Sequence, residues 1–305
     1  MLRDPNTSGE PAMHRIDIPD ERLRANAATL RRTLSDLLDR LYARDPGLSP
    51  ARLAMLRVAD GNAADSPPVT RSDAADGFML HLAAPFVEHC LGGEPDRLLP
   101  LVHALHRELW RGELAAQTKP TMAGDALAAQ FAPIATLMFD EYCANLHSAW
   151  SLPGDADLLL PHLLRLLEEL PRAGERALAD YRSDGDLDTL VGLSVARLTH
   201  LMQTVAFCLG YLAGLGRTAG DIAPELKAGI DASLIGREWP RIAALLAGAA
   251  ASDGVARELQ LDMLRTRIVA VLAAQGLAAS LSTDGSVWME VADASEALSR
   301  RGPLH

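Results

Sequence analysis

The feature that most constrains this chain is a leucine seam near its start. Leu23, Ala27, Leu30, Leu34, Leu37 and Leu41 follow one another in steps of four and three, with arginines and aspartates between them. That is the heptad spacing of a helix that lies along another element. Asp20, after Pro19, is placed to cap it, and Asp45-Pro46-Gly47 ends it. Such a helix must bury its seam within this chain or against a second copy, so the seam points to a helical fold and to a homodimer.

Composition agrees. Aromatic residues make up 4 % of the 305 residues while 49 % are hydrophobic, so the core must be built from Leu, Ala, Val and Met, which favours closely packed helices. A chain of this length buries a full core without disulfide or metal staples. Cys90, Cys143 and Cys208 are far apart and show no CxxC or zinc spacing, which suits a reducing cytoplasm. The first residues lack an apolar h-region and read as a disordered tail through residue 17. The formal net charge is −11, and of the 29 basic residues only Lys119 and Lys227 are lysines. An acidic chain with no basic run is a poor binder of phosphate backbones, so no nucleic-acid partner is expected.

Residues 49–60 predict a second helix, with Ser49 as cap and Pro50 at its first position, giving an N-terminal helical pair over 18–60. GNAADSPPVTRS, residues 61–72, reads as a linker by its Pro, Ser and Asn content. Helices are then expected at about 73–91, 95–117, 121–150, 155–181, 187–215, 224–236, 238–251 and 253–275, with caps at Asp73, Thr121, Asp155, Asp186, Asp221 and Ser252. These make a main bundle over 73–275, kinked near Pro85, Pro133, Pro161, Pro171 and Pro240. The longest apolar stretch, Leu198 to Gly216, approaches the length of a membrane span. It contains His200 and Gln203 and directly follows Arg197, so it predicts a buried core helix and no membrane. After Gly276, the Asp284-Gly285 pair between apolar-alternating flanks predicts a β-hairpin. A two-residue turn would set Leu281 opposite Trp288, with Val287, Met289 and Val291 on the other face. The hairpin and tail, 276–305, must pack on the bundle, since an isolated two-stranded ribbon is marginal in water.

Candidate chemistry falls in two places. On the helix from Leu187, Arg197, His200, Thr204 and Tyr211 recur on one side at helical spacing, with Gln203 beside them. A guanidinium and an imidazole on a largely apolar helix need partners, and a small polar or anionic ligand would supply them; a solvent-facing stripe is the bland reading. Metal ligands are the second theme, because seven of the nine histidines lie between residues 81 and 200. The candidates are His81 and His89, with Glu141 and His147 further on. No Glu-x-x-His of a di-iron bundle is present. Asp140, Cys143 and His147 share one helical face, opposite the apolar stripe of Phe131, Ile134, Met138 and Tyr142, and so predict a solvated surface. Glu141 lies at the edge of that stripe, where a carboxylate must be paired or face a cavity.

The string CLGYLAGLG, with Gly210, Gly214 and Gly216, resembles the glycine-bearing helix over the haem in haem oxygenases, for a few residues only. The resemblance implies a haem- or iron-dependent helical-bundle enzyme, with ligands drawn from His81, His89, Glu141, His147 and His200. No GxGxxG, Walker loop, GxSxG elbow, HExxH or kinase signature accompanies it. The sequence therefore predicts an all-α, irregular bundle of about ten helices with a C-terminal hairpin. The leading functional expectation is a non-catalytic regulatory or accessory protein, homodimeric and cytoplasmic. It would act through protein–protein contacts, with a small polar ligand at the Arg197–His200 face; the haem or iron enzyme is the alternative.

Overall fold

The computed structural model describes residues 14–60, 67–92, 95–117, 125–152 and 160–291. Among them lie ten α-helices and six strands, and the chain divides into two compact units, residues 1–117 and 118–305.

In the first unit Asp20 accepts the Arg22 amide at 2.9 Å and starts a 3-10 turn, Glu21–Asn26, before helix α1, Ala27–Arg44. The seam is buried within the chain itself: Leu30, Leu34, Leu37, Leu38 and Leu41 are all core residues. Around it the expected helical pair gives way to a four-stranded sheet. Ile16–Asp17 (β1), Leu53–Ala59 (β2), Val69–Ala74 (β3) and Gly77–Ala83 (β4) are ordered β1-β2-β4-β3. β2 runs parallel to β1 and β4, and β3 closes the edge antiparallel to β4.

Four sequence expectations are corrected here. The predicted second helix is strand β2, because Leu56 and Val58 find pairing partners in Leu80 and Leu82, some 24 residues on. Part of the predicted linker, Val69–Ser72, is an edge strand; residues 61–66 of it lie outside the described residues. The helix expected from Asp73 is a β-hairpin in which Phe78, Leu80 and Leu82 alternate inward, with only Ala84–Leu91 helical (α2). Residues 16–17 of the expected tail are paired in the sheet, while residues 1–13 lie outside the described residues. Helix α3, Leu99–Gln117, then packs on β3 and β4. Gly112 admits this contact, since a Cβ there would fall 2.2 Å from the Phe78 ring.

The second unit is the expected irregular bundle with its terminal hairpin. Its main helices are α4 (Ala126–Ser148), α5 (Leu160–Asp184) and α6 (Leu187–Gly214). The short α7 (Ala219–Ile222) and α8 (Pro224–Ala232) lead to α9 (Trp239–Ala250) and α10 (Gly254–Ala274). Pro133 and Pro171 lie inside α4 and α5. Asp125 caps α4 and Asp186 caps α6, accepting the amides of Ala128 and Thr189 at 2.7 and 3.0 Å. Asp221, expected to cap the helix from residue 224, instead completes the capping box that Thr218 begins on α7, and α8 starts after Ala223 with no side-chain cap; the expected caps Thr121 and Asp155 lie outside the described residues.

Helix α6 is long and apolar enough to cross a membrane by length and composition, and half of its most apolar window is buried inside the protein. Its chief neighbour is α4, and the approach is close. A Cβ on Gly210 would lie 2.3 Å from the Tyr142 carbonyl oxygen, and one on Gly214 would lie 2.5 Å from that of Leu146. The register advances by four on both helices, so they run in the same direction.

The hairpin differs from expectation by one residue. Strands β5 (Leu277–Leu281) and β6 (Val287–Val291) pair Ser280 with Trp288 and Leu281 with Val287. The Ser282 amide donates to the Ser286 carbonyl at 2.9 Å, leaving a three-residue loop with Gly285 at φ +82. Asp284 accepts from the hydroxyls of Ser282 and Ser286 and from the Ser286 amide, which holds its carboxyl down to about 2. The longer loop puts Leu277, Ala279, Leu281, Val287, Met289 and Val291 on one face, and β5 packs on α10 and α4. Trp288 is left outward, 58 % exposed.

Two stability predictions follow from this packing. Leu34 is fully buried, so Leu34→Ala should cost about 2–5 kcal/mol in urea unfolding; an unchanged midpoint would mean that the seam is not a core. In α6, Gly210→Ala should lower the melting temperature although alanine is the better helix former by about 1 kcal/mol. Gly192→Ala on the same helix, where an added Cβ meets nothing within 4 Å, should raise it. Equal shifts for the two variants would contradict the close α4–α6 contact.

Candidate functional site

The polar side of α6 is divided among separate environments. The Arg197 guanidinium is half-buried and its Nη1 donates to the Ala173 carbonyl of α5 at 3.0 Å. His200, one turn on, is exposed, and its ring meets that of His162 on α5 edge-on at 5.6 Å. Gln203 is half-buried; Thr204 is buried and its hydroxyl donates to the His200 carbonyl at 2.9 Å. Tyr211 is buried four turns from Arg197, about 21 Å along the axis at 1.5 Å per residue. The five residues therefore do not converge on one pocket. What the structure assembles is a pair of histidines and an arginine where α5 and α6 meet.

The metal candidates are likewise dispersed. His81 and His89 belong to the first unit, where His81 on β4 pairs with the Ser72 hydroxyl at 2.8 Å and His89 on α2 is exposed. Glu141 and His147 belong to α4 of the second unit, Glu141 buried and His147 half-buried. Among the described residues no three His, Cys, Asp or Glu side chains come together as a metal site. The face of Asp140, Cys143 and His147 is not the solvated surface expected: Cys143 is buried, and burial with the nearby Asp140 charge pushes its thiol up to about 12. The close approach that Gly210 and Gly214 permit, read from sequence as room for a flat ligand or a helix, is taken up by the backbone of α4.

Two polar groupings in the first unit were not anticipated. One is a buried node at the end of α1. Asp45 accepts the Trp110 indole N–H at 2.8 Å and the Gly47 amide at 3.3 Å, and His106 Nε2 lies 3.3 Å from the same carboxylate. One turn along α3, Glu113 accepts the Ser49 amide at 2.8 Å. With His106 1 % exposed, this His–Asp pair holds α3 against the turn. The second grouping is a cleft of about 320 Å³ where β3 and β4 meet the last turns of α3. Arg52, Arg71, Asp73 and Phe78 line it with Gly77, Gly112, Ala115 and Ala116. Arg71 was hidden in what reads as a linker and Arg52 in what reads as a helix. The signal present in the sequence was the alternation Val69-x-Arg71-x-Asp73, which places both charged side chains on the face of β3 that carries the buried Val69.

Set against family models, curated proteins and solved structures, the chain matches none.

The His162–His200 pair gives a pH dependence with a definite sign. Burial, the facing His200 and Arg165 all lower the affinity of His162 for a proton, with Glu169 opposing them. Below the ordinary value of 6.5 the unfolded chain takes up a proton that the folded one resists. Stability should therefore fall as pH drops below 6.5 towards the lowered value of the folded state. Melting curves of wild type and His162→Asn would check this: the variant should lose part of the slope, and parallel curves would mean that His162 titrates normally.

Proposed function

We propose that this is a non-catalytic accessory protein that works through protein contacts and pairs with a second copy of itself. One observation carries the reading. On α10, Val255, Leu259 and Met263 stand one turn apart on a single face and are 87, 58 and 38 % exposed. An apolar row of that kind in water marks a contact surface, since burying each side chain is worth about 1.5–3 kcal/mol. The row is symmetric about Leu259, so two antiparallel copies of α10 related by a two-fold axis would set Val255 of one against Met263 of the other. Around the row, Asp262 is already paired with Arg265 at 3.1 Å and Arg267 with Glu238 at 3.5 Å, so a close approach leaves no lone charge among these groups. The leucine seam of α1, which first suggested a dimer, is satisfied inside the chain and does not contribute.

A cytoplasmic setting fits the same reading, since the three cysteines are unpaired and buried. Sedimentation velocity tests the pairing. The wild type should be dimeric at about 100 µM, and Leu259→Glu should be monomeric with an unchanged helical circular dichroism spectrum. A wild-type monomer at that concentration, or a dimer indifferent to Leu259→Glu, would overturn it.

A further inference from the structure

We infer that the cleft at the sheet edge of the first unit is a binding site for a small organic monocarboxylate. This concerns another unit and another chemistry than the α10 contact, and stands or falls without it.

Some described arginines of this acidic chain pair with carboxylates: Arg22 with Asp20 and Asp60, Arg241 with Glu238, Arg265 with Asp262. Arg52 and Arg71 do not. Both are half-buried in the cleft wall, and among the described residues neither has a carboxylate within ion-pair distance. Arg71 spends one N–H on the Arg111 carbonyl at 2.8 Å, which braces its guanidinium against α3. Arg52 has its Nε shut away from solvent with no hydrogen-bond partner. The guanidinium lines the cleft with no side-chain hydrogen bond among the described residues, so an acceptor entering the cleft would meet its terminal N–H groups. Two forked donors converging on one cleft match the two oxygens of a carboxylate.

Local charge selects among anions. The guanidiniums supply two positive charges. Asp73 at the wall returns one negative charge, and the carbonyl end of α3 adds about half of another. The remainder is less than one positive charge, which suits a monoanion and disfavours a phosphate dianion. The volume, about 320 Å³, is at the lower end of small-molecule sites and far more than a bare carboxylate fills. Phe78, Ala115 and Ala116 offer the rest of the ligand an apolar floor. Gly77 and Gly112 keep that floor in place: a Cβ on Gly77 would strike the Arg52 carbonyl, and one on Gly112 would strike the Phe78 ring. The site is thus held by the same close packing that forms the sheet–helix core.

Calorimetric titration of the full chain with benzoate and, separately, with inorganic phosphate at constant ionic strength tests the inference. Benzoate should bind saturably and more tightly than phosphate. Arg52→Gln and Arg71→Gln should each weaken benzoate binding at least about tenfold. The Arg52 side chain makes no described hydrogen bond, so Arg52→Gln, which keeps the backbone bond to Ser49, should melt like the wild type and separates ligand recognition from folding. Absence of saturation by about 10 mM benzoate, wild-type affinity in Arg52→Gln, or tighter binding of phosphate than of benzoate would each overturn the assignment.

Discussion

The second unit is organised by the approach of α4 to α6 at Gly210 and Gly214. Each glycine costs about 1 kcal/mol of helix propensity relative to alanine, and that cost is offset by letting two backbones pack at a distance no side chain would allow. With α4 seated there, α6 is enclosed by α4, α5 and α10. That enclosure explains its apolar composition. The same composition gives the helix its membrane-like hydropathy, although its most apolar window is already half covered by protein. Towards α5 it carries polar groups, where Arg197 caps a carbonyl and His200 meets His162.

In the first unit a comparable role falls to Asp45. Its carboxylate ends α1, accepts the Trp110 indole, and tightens the turn through the Gly47 amide. Gly47 is required beside it, since a Cβ there would lie 2.8 Å from the Trp110 ring. Glu113, on the next turn of α3, then holds the Ser49 amide, and the 3-10 turn Pro50–Arg52 leads from Ser49 into β2. The position of Arg52 at the cleft is therefore a consequence of contacts that Asp45 and Glu113 make with the turn between α1 and β2. The carboxylates of Asp45 and Glu113 are each tied to hydrogen-bond donors, as a largely buried charge must be to be tolerated.

What was legible in the sequence was whatever local pattern alone decides. The heptad of α1, the aspartate caps of α4 and α6 and the glycine-bearing turn of the hairpin all rest on residues within a few positions of one another. Asp186 could be read as a cap and is one; Asp125 could have been read and was not. What escaped needed distant partners. Leu53-Ala-Met-Leu-Arg-Val is too short for its period to decide between helix and strand, and only pairing with Phe78–Leu82 makes it β2. The hairpin register slipped because Asp-Gly suits a two-residue turn, whereas the serines flanking it bond across and lengthen the loop to three residues. A slip of one exchanges the two faces, which is why Trp288 is outward. The polar cluster on α6 failed for a different reason: helical spacing shows which residues share a side, but four turns separate Arg197 from Tyr211.

The arginines show why charge was the least legible property of all. Sequence reports 29 basic residues against 40 acidic ones and does not say which of them pair. Compensation depends instead on where each carboxylate is already committed. Glu108 serves Arg111 and Arg107, and Glu238 serves Arg241 and Arg267, so single acids hold two cations each. Asp45 and Glu113 are spent on an indole and on a backbone amide, and Asp284 on its own loop. Acidic residues are in excess by number, yet of the buried acids in the first unit Asp20 and Glu108 already serve other arginines and Glu113 a backbone amide. A chain of net charge −11 can in this way keep two arginines at one cleft without an ion-pair partner among the described residues. Their positive potential is local, shielded from the bulk negative charge by distance and by salt over about 8–10 Å. Net charge therefore argues about the molecule's behaviour towards long polyanions, and says little about a single small anion at a site of this size.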